Sequence, residues 1–320
     1  MPNVTIKEKN SESTVDKQVQ EDSTGDYGDH NDADIGQTVN FRTTINVVDG
    51  DPKNYVLHDT MSAGLTFDPA SVAVTIGERT LAKDTDYTLV TSNLTDGCTF
   101  EVQFKDGVLK PNDVVEVAYS AEVNEYAVIG GTGNDNKTQL KYGEDKGTEW
   151  DETHTYVWQF DVFKYAKKDK EEIPLAGAQF VLYKTVDKKN LYAQAANGKI
   201  TGWTDDQKYA TVFETPDNGK FVIAGLDADT YYLEETKAPD GYNRLKEPVN
   251  VVITANIASG KTVTATITYN ETATGTVRIE NQTGVELPST GGIGTTVFYV
   301  IGGLLMGVAV VLLVTRKKMS

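Results

Sequence analysis

Segments in which apolar and polar residues alternate, set apart by turn residues, run through nearly the whole chain with hardly any helical period. Hydrophobic residues make up 39%, with 16 Tyr and 10 Phe, enough to fill packed cores. An apolar run of membrane-spanning length closes the sequence. These observations predict an all-β fold of two tandem immunoglobulin-like β-sandwiches, followed by a C-terminal transmembrane helix.

The first sandwich is expected over residues 1–145, with a polar lead over 1–12. Asp22, Asp26, Asp29, Asp32 and Asp34 follow in a stretch whose spacing matches no EF-hand, so a solvated acidic loop is expected there. Within it Val15, Lys17 and Val19 alternate with Asp16 and Gln18, a strand period with Lys17 on the apolar side. From Gly36 to Tyr142 come TVNFRTTINVV, NYVLHDTM, SVAVTI, YTLV, CTFEVQF, VVEVAYSAEV and TQLKY, broken by Asp49-Gly50-Asp51-Pro52, Asp96-Gly97 and Lys110-Pro111-Asn112-Asp113.

A polar stretch, Gly143 to Thr155, reads as the connection. The second sandwich is expected over 155–282, from TYVWQFDVFKYA through AQFVLYKT, KFVIAGL, TYYLEET, VNVVITA and TVTATITYN to TVRIEN. The less regular insertion between Asp187 and Pro216, which carries Trp203, suits a short helix or a long hairpin.

Net charge is −17 over 320 residues despite a basic C-terminal tail. Such a surface disfavours nucleic-acid phosphates. Cys98 is the one cysteine, so no internal disulfide is available; in its alternating segment it reads as a small core residue. His30, His58 and His154 stand apart in sequence from one another and from Cys98, so no metal site is expected. No nucleophile–base–acid set or phosphate loop emerges, and neither an enzyme nor a cofactor is expected. Met1-Pro2-Asn3-Val4-Thr5 has neither the basic start nor the apolar run of a signal peptide, as expected of a processed, truncated or engineered chain.

Three strands of the second region aim a polar residue along an apolar face. Phe160, Val162 and Lys164 share a face, as do Tyr231, Leu233 and Glu235, and Val277, Ile279 and Asn281. A buried ammonium or carboxylate costs several kcal/mol unless neutralised or paired. Desolvation favours the uncharged amine of Lys164 beside a protonated acid. That acid can polarise the Asn281 carboxamide, so that attack by the amine releases ammonia and leaves a neutral amide.

PLAGAQFVLYK (174–184) and YYLEETKAPDGY (231–242) resemble the B-type repeat of collagen-binding surface proteins and pilins, which carries an internal Lys–Asn isopeptide bond. The resemblance implies Lys164 as amine, Asn281 as amide donor and Glu235 as catalytic acid, with Glu234 on the other face. The first region resembles the fimbrial isopeptide-formation domain of sortase-assembled pilins. The likeness lies in Thr14-Val15-Asp16-Lys17, Asp34-Ile35-Gly36-Gln37-Thr38-Val39, His58-Asp59-Thr60-Met61, Gly64-Leu65-Thr66-Phe67 and Gly133-Asn134-Asp135-Asn136. It implies a bond from Lys17 to Asn136 with Asp59 as the acid; Asn134 has the same parity as Asn136 and competes with it. Each bond is expected to tie the first strand of its sandwich to the last.

Residues 287–320 hold Leu287-Pro288-Ser289-Thr290-Gly291, an uncharged run from Val297 to Val314, then Arg316, Lys317 and Lys318. The run rises about 27 Å as a helix at ~1.5 Å per residue, close to the hydrocarbon thickness of a bilayer. The basic cluster fixes the tail on the cytoplasmic side and the body outside. This order resembles the LPxTG cell-wall sorting signal of Gram-positive surface proteins. In that family a sortase cleaves between threonine and glycine, here Thr290 and Gly291, with Leu287 and Pro288 completing the motif.

Together the resemblances imply a structural subunit of a sortase-assembled pilus. Its partners are then sortase, other pilin subunits, peptidoglycan and, transiently, the membrane, and it ends covalently attached to the cell wall. Pilus shafts of this class use a donor lysine, often in a YPKN-like motif, which is absent; Lys7 and Lys9 are the candidates in roughly that place. The alternative is a monomeric wall-anchored adhesin or accessory pilin binding a host extracellular ligand through the acidic loops or the Trp203 insertion.

Overall fold

The computed structural model describes residues 12–48, 52–256 and 263–284. The expected sorting signal, the apolar run 297–314, Lys7 and Lys9 lie outside these residues. No helix among the described residues is long and apolar enough to cross a membrane.

Strands dominate because β-branched and aromatic residues recur at every second position and turn residues interrupt them. The first sandwich faces two sheets. One orders Tyr27–Gly28, Thr14–Gln20, Thr38–Asn46, Val114–Val123, Leu65–Ile76 and Arg79–Thr80. The other orders His30–Asp32, Asp151–Tyr156, Asn134–Tyr142, Val56–Met61, Phe100–Phe104 and Tyr87–Val90, with Lys146–Gly147 beside Asn134–Tyr142. Val19, Phe41, Ile45, Leu57, Phe100, Val117 and Leu140 fill the space between them. The second sandwich wraps one continuous sheet around Phe160, Val162, Phe180, Leu182, Ile223, Tyr231, Leu233 and Ile279.

Hairpin chemistry explains much of the second sandwich. Asp169-Lys170, Asp187-Lys188, Asn197-Gly198 and Asn270-Glu271 each join two strands, and both residues of each pair have positive φ. That is the two-residue turn whose twist matches antiparallel strands. The insertion between Asp187 and Pro216 therefore holds both expected forms: a hairpin, Lys189–Ala196 with Lys199–Thr204, and a short 3-10 helix, Gln207–Tyr209, capped by Asp206. Its Trp203 is partly buried and packs against the core, 6.1 Å from the Tyr231 ring.

Several expectations need correction. The stretch read as a connection contains the strand Asp151–Tyr156, which pairs antiparallel with Asn134–Tyr142 and parallel with His30–Asp32. Its polar residues gave no core signal because one face looks outward. The acidic stretch is not uniformly solvated, since Asp32 and Asp34 are buried at the junction of the sandwiches. There Asp32 accepts from Trp158 Nε1 at 2.6 Å and from the Ala228 amide at 3.1 Å. Asp34 accepts from the Asp227 amide at 2.9 Å and from Lys184 Nζ. Each carboxylate is thereby supplied with donors that replace water.

Nor are the histidines isolated. The rings of His30 and His154 stack at 5.3 Å, and His58 Nδ1 lies 3.5 Å from Cys98 Sγ. Cys98 itself is half-buried in a loop rather than in the core. Sequence distance hid both encounters, because the sheet brings remote segments side by side.

Asn243 donates from its backbone to Gln282 O and from its side chain to Gly284 O, each at 3.0 Å.

One glycine fixes the strand that carries Lys164. Gly219, at φ +67°, closes a turn on Pro216 and accepts the Lys164 amide at 2.8 Å. A Cβ there would collide with the Lys164 carbonyl oxygen. Gly219→Ala is expected to destabilise the second sandwich by roughly 2–3 kcal/mol, a left-handed backbone and a steric clash acting together. Denaturant unfolding followed by Trp fluorescence measures it.

Candidate functional site

Two buried sites, one per sandwich, are built from the same residue types. In the second, Lys164 lies in the middle of strand Trp158–Lys168, and the period of two turns it inward with Phe160 and Val162. Glu235 ends the inward row Tyr231, Leu233, Glu235 on strand Thr230–Lys237, whereas Glu234 faces outward. Asn281 follows strand Val277–Glu280, which runs parallel to Trp158–Lys168 and sets Ile279 opposite Lys164. Lys164, Glu235 and Asn281 are all buried.

Lys164 Nζ lies 3.4 Å from Glu235 Oε1 and 3.4 Å from the Ile279 carbonyl oxygen. Glu235 Oε2 accepts from Asn281 Nδ2 at 3.1 Å and from the Leu245 amide at 2.7 Å. The Asn281 amide donates to Tyr165 O at 2.9 Å, which holds its side chain over the acid. Burial pulls the Lys164 amine down to about 8 against the opposing pull of Glu235. A carboxamide flipped about its last torsion presents its oxygen to Glu235 Oε2 at the same point.

In the first sandwich Lys17 comes from one sheet and Asp59 and Asn136 from the other. Lys17 Nζ donates to Asp59 Oδ2 at 2.6 Å and to the hydroxyl of Tyr119. That hydroxyl lies 2.6 Å from Asp59 Oδ2 and accepts from Asn136 Nδ2 at 3.1 Å. Asp59 Oδ1 and Asn136 Oδ1 have no hydrogen bond among the described residues. Burial lowers the Lys17 amine, with Asp59 opposing it, and raises the Asp59 carboxyl, with Lys17 opposing it. Both shifts favour an uncharged amine facing an uncharged acid.

Asn134 is engaged elsewhere. Its Oδ1 accepts from the Val128 amide at 2.8 Å, and its Nδ2 donates to the carbonyls of Val128 and Thr155. It clamps a loop, whereas Asn136 shares Tyr119 with Lys17. Tyr119 is the residue that sequence reasoning missed. It stands on the inward face of Val114–Val123 with Val115 and Val117, where an aromatic reads as core. Asn136 is also not on the last strand of its sandwich, since Asp151–Tyr156 follows it.

Three family matches divide the chain along these lines. Residues 35–146 match the Gram-positive pilin backbone subunit 2, Cna-B-like domain. Residues 161–271 match the SpaA prealbumin-like fold domain, and residues 279–320 the LPXTG cell wall anchor motif. The three matches fall on separate parts of the chain, one on each sandwich and one on the C-terminal segment. These pilin families are structural rather than enzymatic.

The trypsin-resistant surface T6 protein of Streptococcus pyogenes is 28% identical to this chain over 328 residues, covering 83% of this chain and 61% of the relative. The chain therefore spans less than two thirds of that relative's length. Two solved structures share its fold. The full-length major pilin RrgB of Streptococcus pneumoniae superposes with a TM-score of 0.63 at 15% identity, over 87% of this chain and 75% of that one. The group B streptococcus pilus 2b backbone protein gives 0.62 at 22% identity, over 87% and 99%.

The depressed Lys164 amine makes a testable statement about stability in Asn281→Ala, which has no carboxamide to attack. The folded state releases the proton near pH 8 and the unfolded state near 10.5, so unfolding takes up a proton between them. Stability should therefore rise with pH across that window, by at most about 1.4 kcal/mol per pH unit. Below pH 8 the penalty of the buried ammonium is felt in full. The rise should be absent from Lys164→Met/Asn281→Ala, and urea titrations over pH measure both.

Proposed function

We propose that this chain is a structural subunit of a Gram-positive pilus, exported, joined by sortase to other subunits and finally to peptidoglycan. Each sandwich is locked by an isopeptide bond, Lys17 to Asn136 and Lys164 to Asn281. The observation that carries this reading is the convergence, twice in one chain, of a lysine, an acid and an asparagine from separate strands at a point sealed from water. Structural ion pairs need no carboxamide; amide exchange does.

The chemistry balances without any added reagent. The uncharged lysine Nζ attacks Cγ of the asparagine, polarised by a protonated Asp59 or Glu235. The new Nζ–Cγ bond forms, the Cγ–Nδ2 bond breaks, and the surplus amine proton passes through the acid to the departing nitrogen, which leaves as ammonia. Two polar side chains become one neutral amide, which suits a core. Each acid acts once, on its own chain.

The parts of the chain have distinct roles in this reading. Residues 1–145 extended through strand Asp151–Tyr156, and the remainder of 155–282, bear load. Residues 287–320 hold the chain in the membrane until sortase cleaves between Thr290 and Gly291. Lys7 and Lys9 are the candidate amines that receive the next subunit.

Wall extracts from cells expressing the chain with its sortase, boiled in SDS, test this directly. A ladder of covalent multimers is expected, lost when Lys7 and Lys9 are both changed to Ala. A single band means a monomeric wall-anchored protein, such as an adhesin binding a host ligand, and contradicts assembly.

A further inference from the structure

We propose that His58, Asp96, Cys98 and Glu101 form a binding site for a borderline-soft divalent cation of the zinc type. The site is separate from the isopeptide machinery, although it shares a strand with it. On Val56–Met61, Leu57 and Asp59 face the core and His58 faces the opposite side. His58 is nonetheless buried. Glu101 stands directly across from it in the antiparallel pair with Phe100–Phe104. Asp96 and Cys98 come from the loop just before that strand, held in shape by the Cys98 amide donating to Asp96 Oδ1 at 3.2 Å.

The ligand atoms converge. From His58 Nδ1 the distances are 2.7 Å to Asp96 Oδ2, 3.3 Å to Glu101 Oε1 and 3.5 Å to Cys98 Sγ. One ligand atom from each of His58, Asp96 and Cys98 lies within 4.8 Å of the others, and Glu101 borders this group of three through its contact with His58. Bond lengths of ~2.0 Å to nitrogen or oxygen and ~2.3 Å to sulfur give tetrahedral edges of roughly 3.3 Å and 3.5 Å. The Glu101 and Cys98 separations already match those edges. The Asp96 contact, a hydrogen bond here, has to open by about half an ångström to accommodate an ion.

Charge and donor chemistry point the same way. A thiol, an imidazole and two carboxylates are a mixed set that hard oxygen-seeking ions do not need and zinc accepts. Two carboxylates face one imidazole, and Lys141 lies 3.5 Å from Asp96. Burial, with Asp96 adding to it, pushes the Cys98 thiol up to about 11, so it is not a free thiolate nucleophile. A bound cation reverses that preference by taking the thiolate as ligand. The ion would pin the loop to the sheet one residue from Asp59.

The full chain in detergent, stripped with a chelator and titrated with cobalt(II) and then zinc(II), tests the site. One zinc per chain is expected, along with a thiolate-to-cobalt charge-transfer band that zinc abolishes. Cys98→Ser should remove the band and weaken zinc binding at least tenfold, with circular dichroism unchanged; Glu101→Gln should weaken zinc binding while keeping the band. If Cys98→Ser does not fold, the wild-type band and the Glu101→Gln affinity decide the matter. Absence of the band in the wild-type chain, or equal zinc affinity in all the folded chains, overturns the proposal.

Discussion

A lysine amine sealed away from water sets the terms for each sandwich. Left as an ammonium it costs several kcal/mol, and an ordinary buried ion pair recovers that only with close geometry and every remaining donor satisfied. Lys17 and Lys164 are both fully buried. Each meets an acid that burial also prefers uncharged or that shares its lone pairs with a backbone amide. In the proposed exchange the carboxamide beside them converts a costly pair into a neutral product. Closing a loop of ~100 residues covalently is worth roughly 5 kcal/mol in the chain-entropy model used for disulfides. A chain with one cysteine has no disulfide with which to do the same.

The two sites reach one chemistry through different architectures. In the second sandwich Lys164 lies on the first strand and Asn281 directly follows the last, and these strands are parallel neighbours, so tension between the ends of the sandwich shears that pair and would pass straight through the proposed bond. In the first, Lys17 and Asn136 lie on facing sheets, and the proposed bond would staple them across the core. Strand Asp151–Tyr156 lies beyond that staple. It is held instead by its ladders to Asn134–Tyr142 and His30–Asp32 and by the Lys17 amide donating to Asp151 Oδ2 at 2.6 Å. The supporting groups differ too: a tyrosine hydroxyl completes the first site, a backbone amide from Leu245 the second.

Much of this was legible in the sequence, for a definite reason. A polar residue on the apolar face of a strand violates the period of two, and Lys17, Lys164, Glu235 and Asn281 each did so. The same parity could not separate Asn134 from Asn136, because both point inward and only their neighbours differ. Tyr119 obeyed the pattern and so gave no sign that its hydroxyl mattered. Strand Asp151–Tyr156 was lost in a polar stretch, and Asp32 and Asp34 looked like surface because their partners, Trp158, Asp227 and Lys184, come from more than a hundred residues away. The meeting of His58 with Cys98 was hidden likewise, since 40 residues and a sheet crossing separate them.

Exchange between amine and carboxamide leaves a covalent signature. Intact-mass spectrometry of the folded chain reads this without reference to any structure. The mass should fall short of the sequence mass by two molecules of ammonia, by one in Lys17→Ala or Lys164→Ala, and by none in the double variant. A folded wild-type chain at its full sequence mass would contradict it.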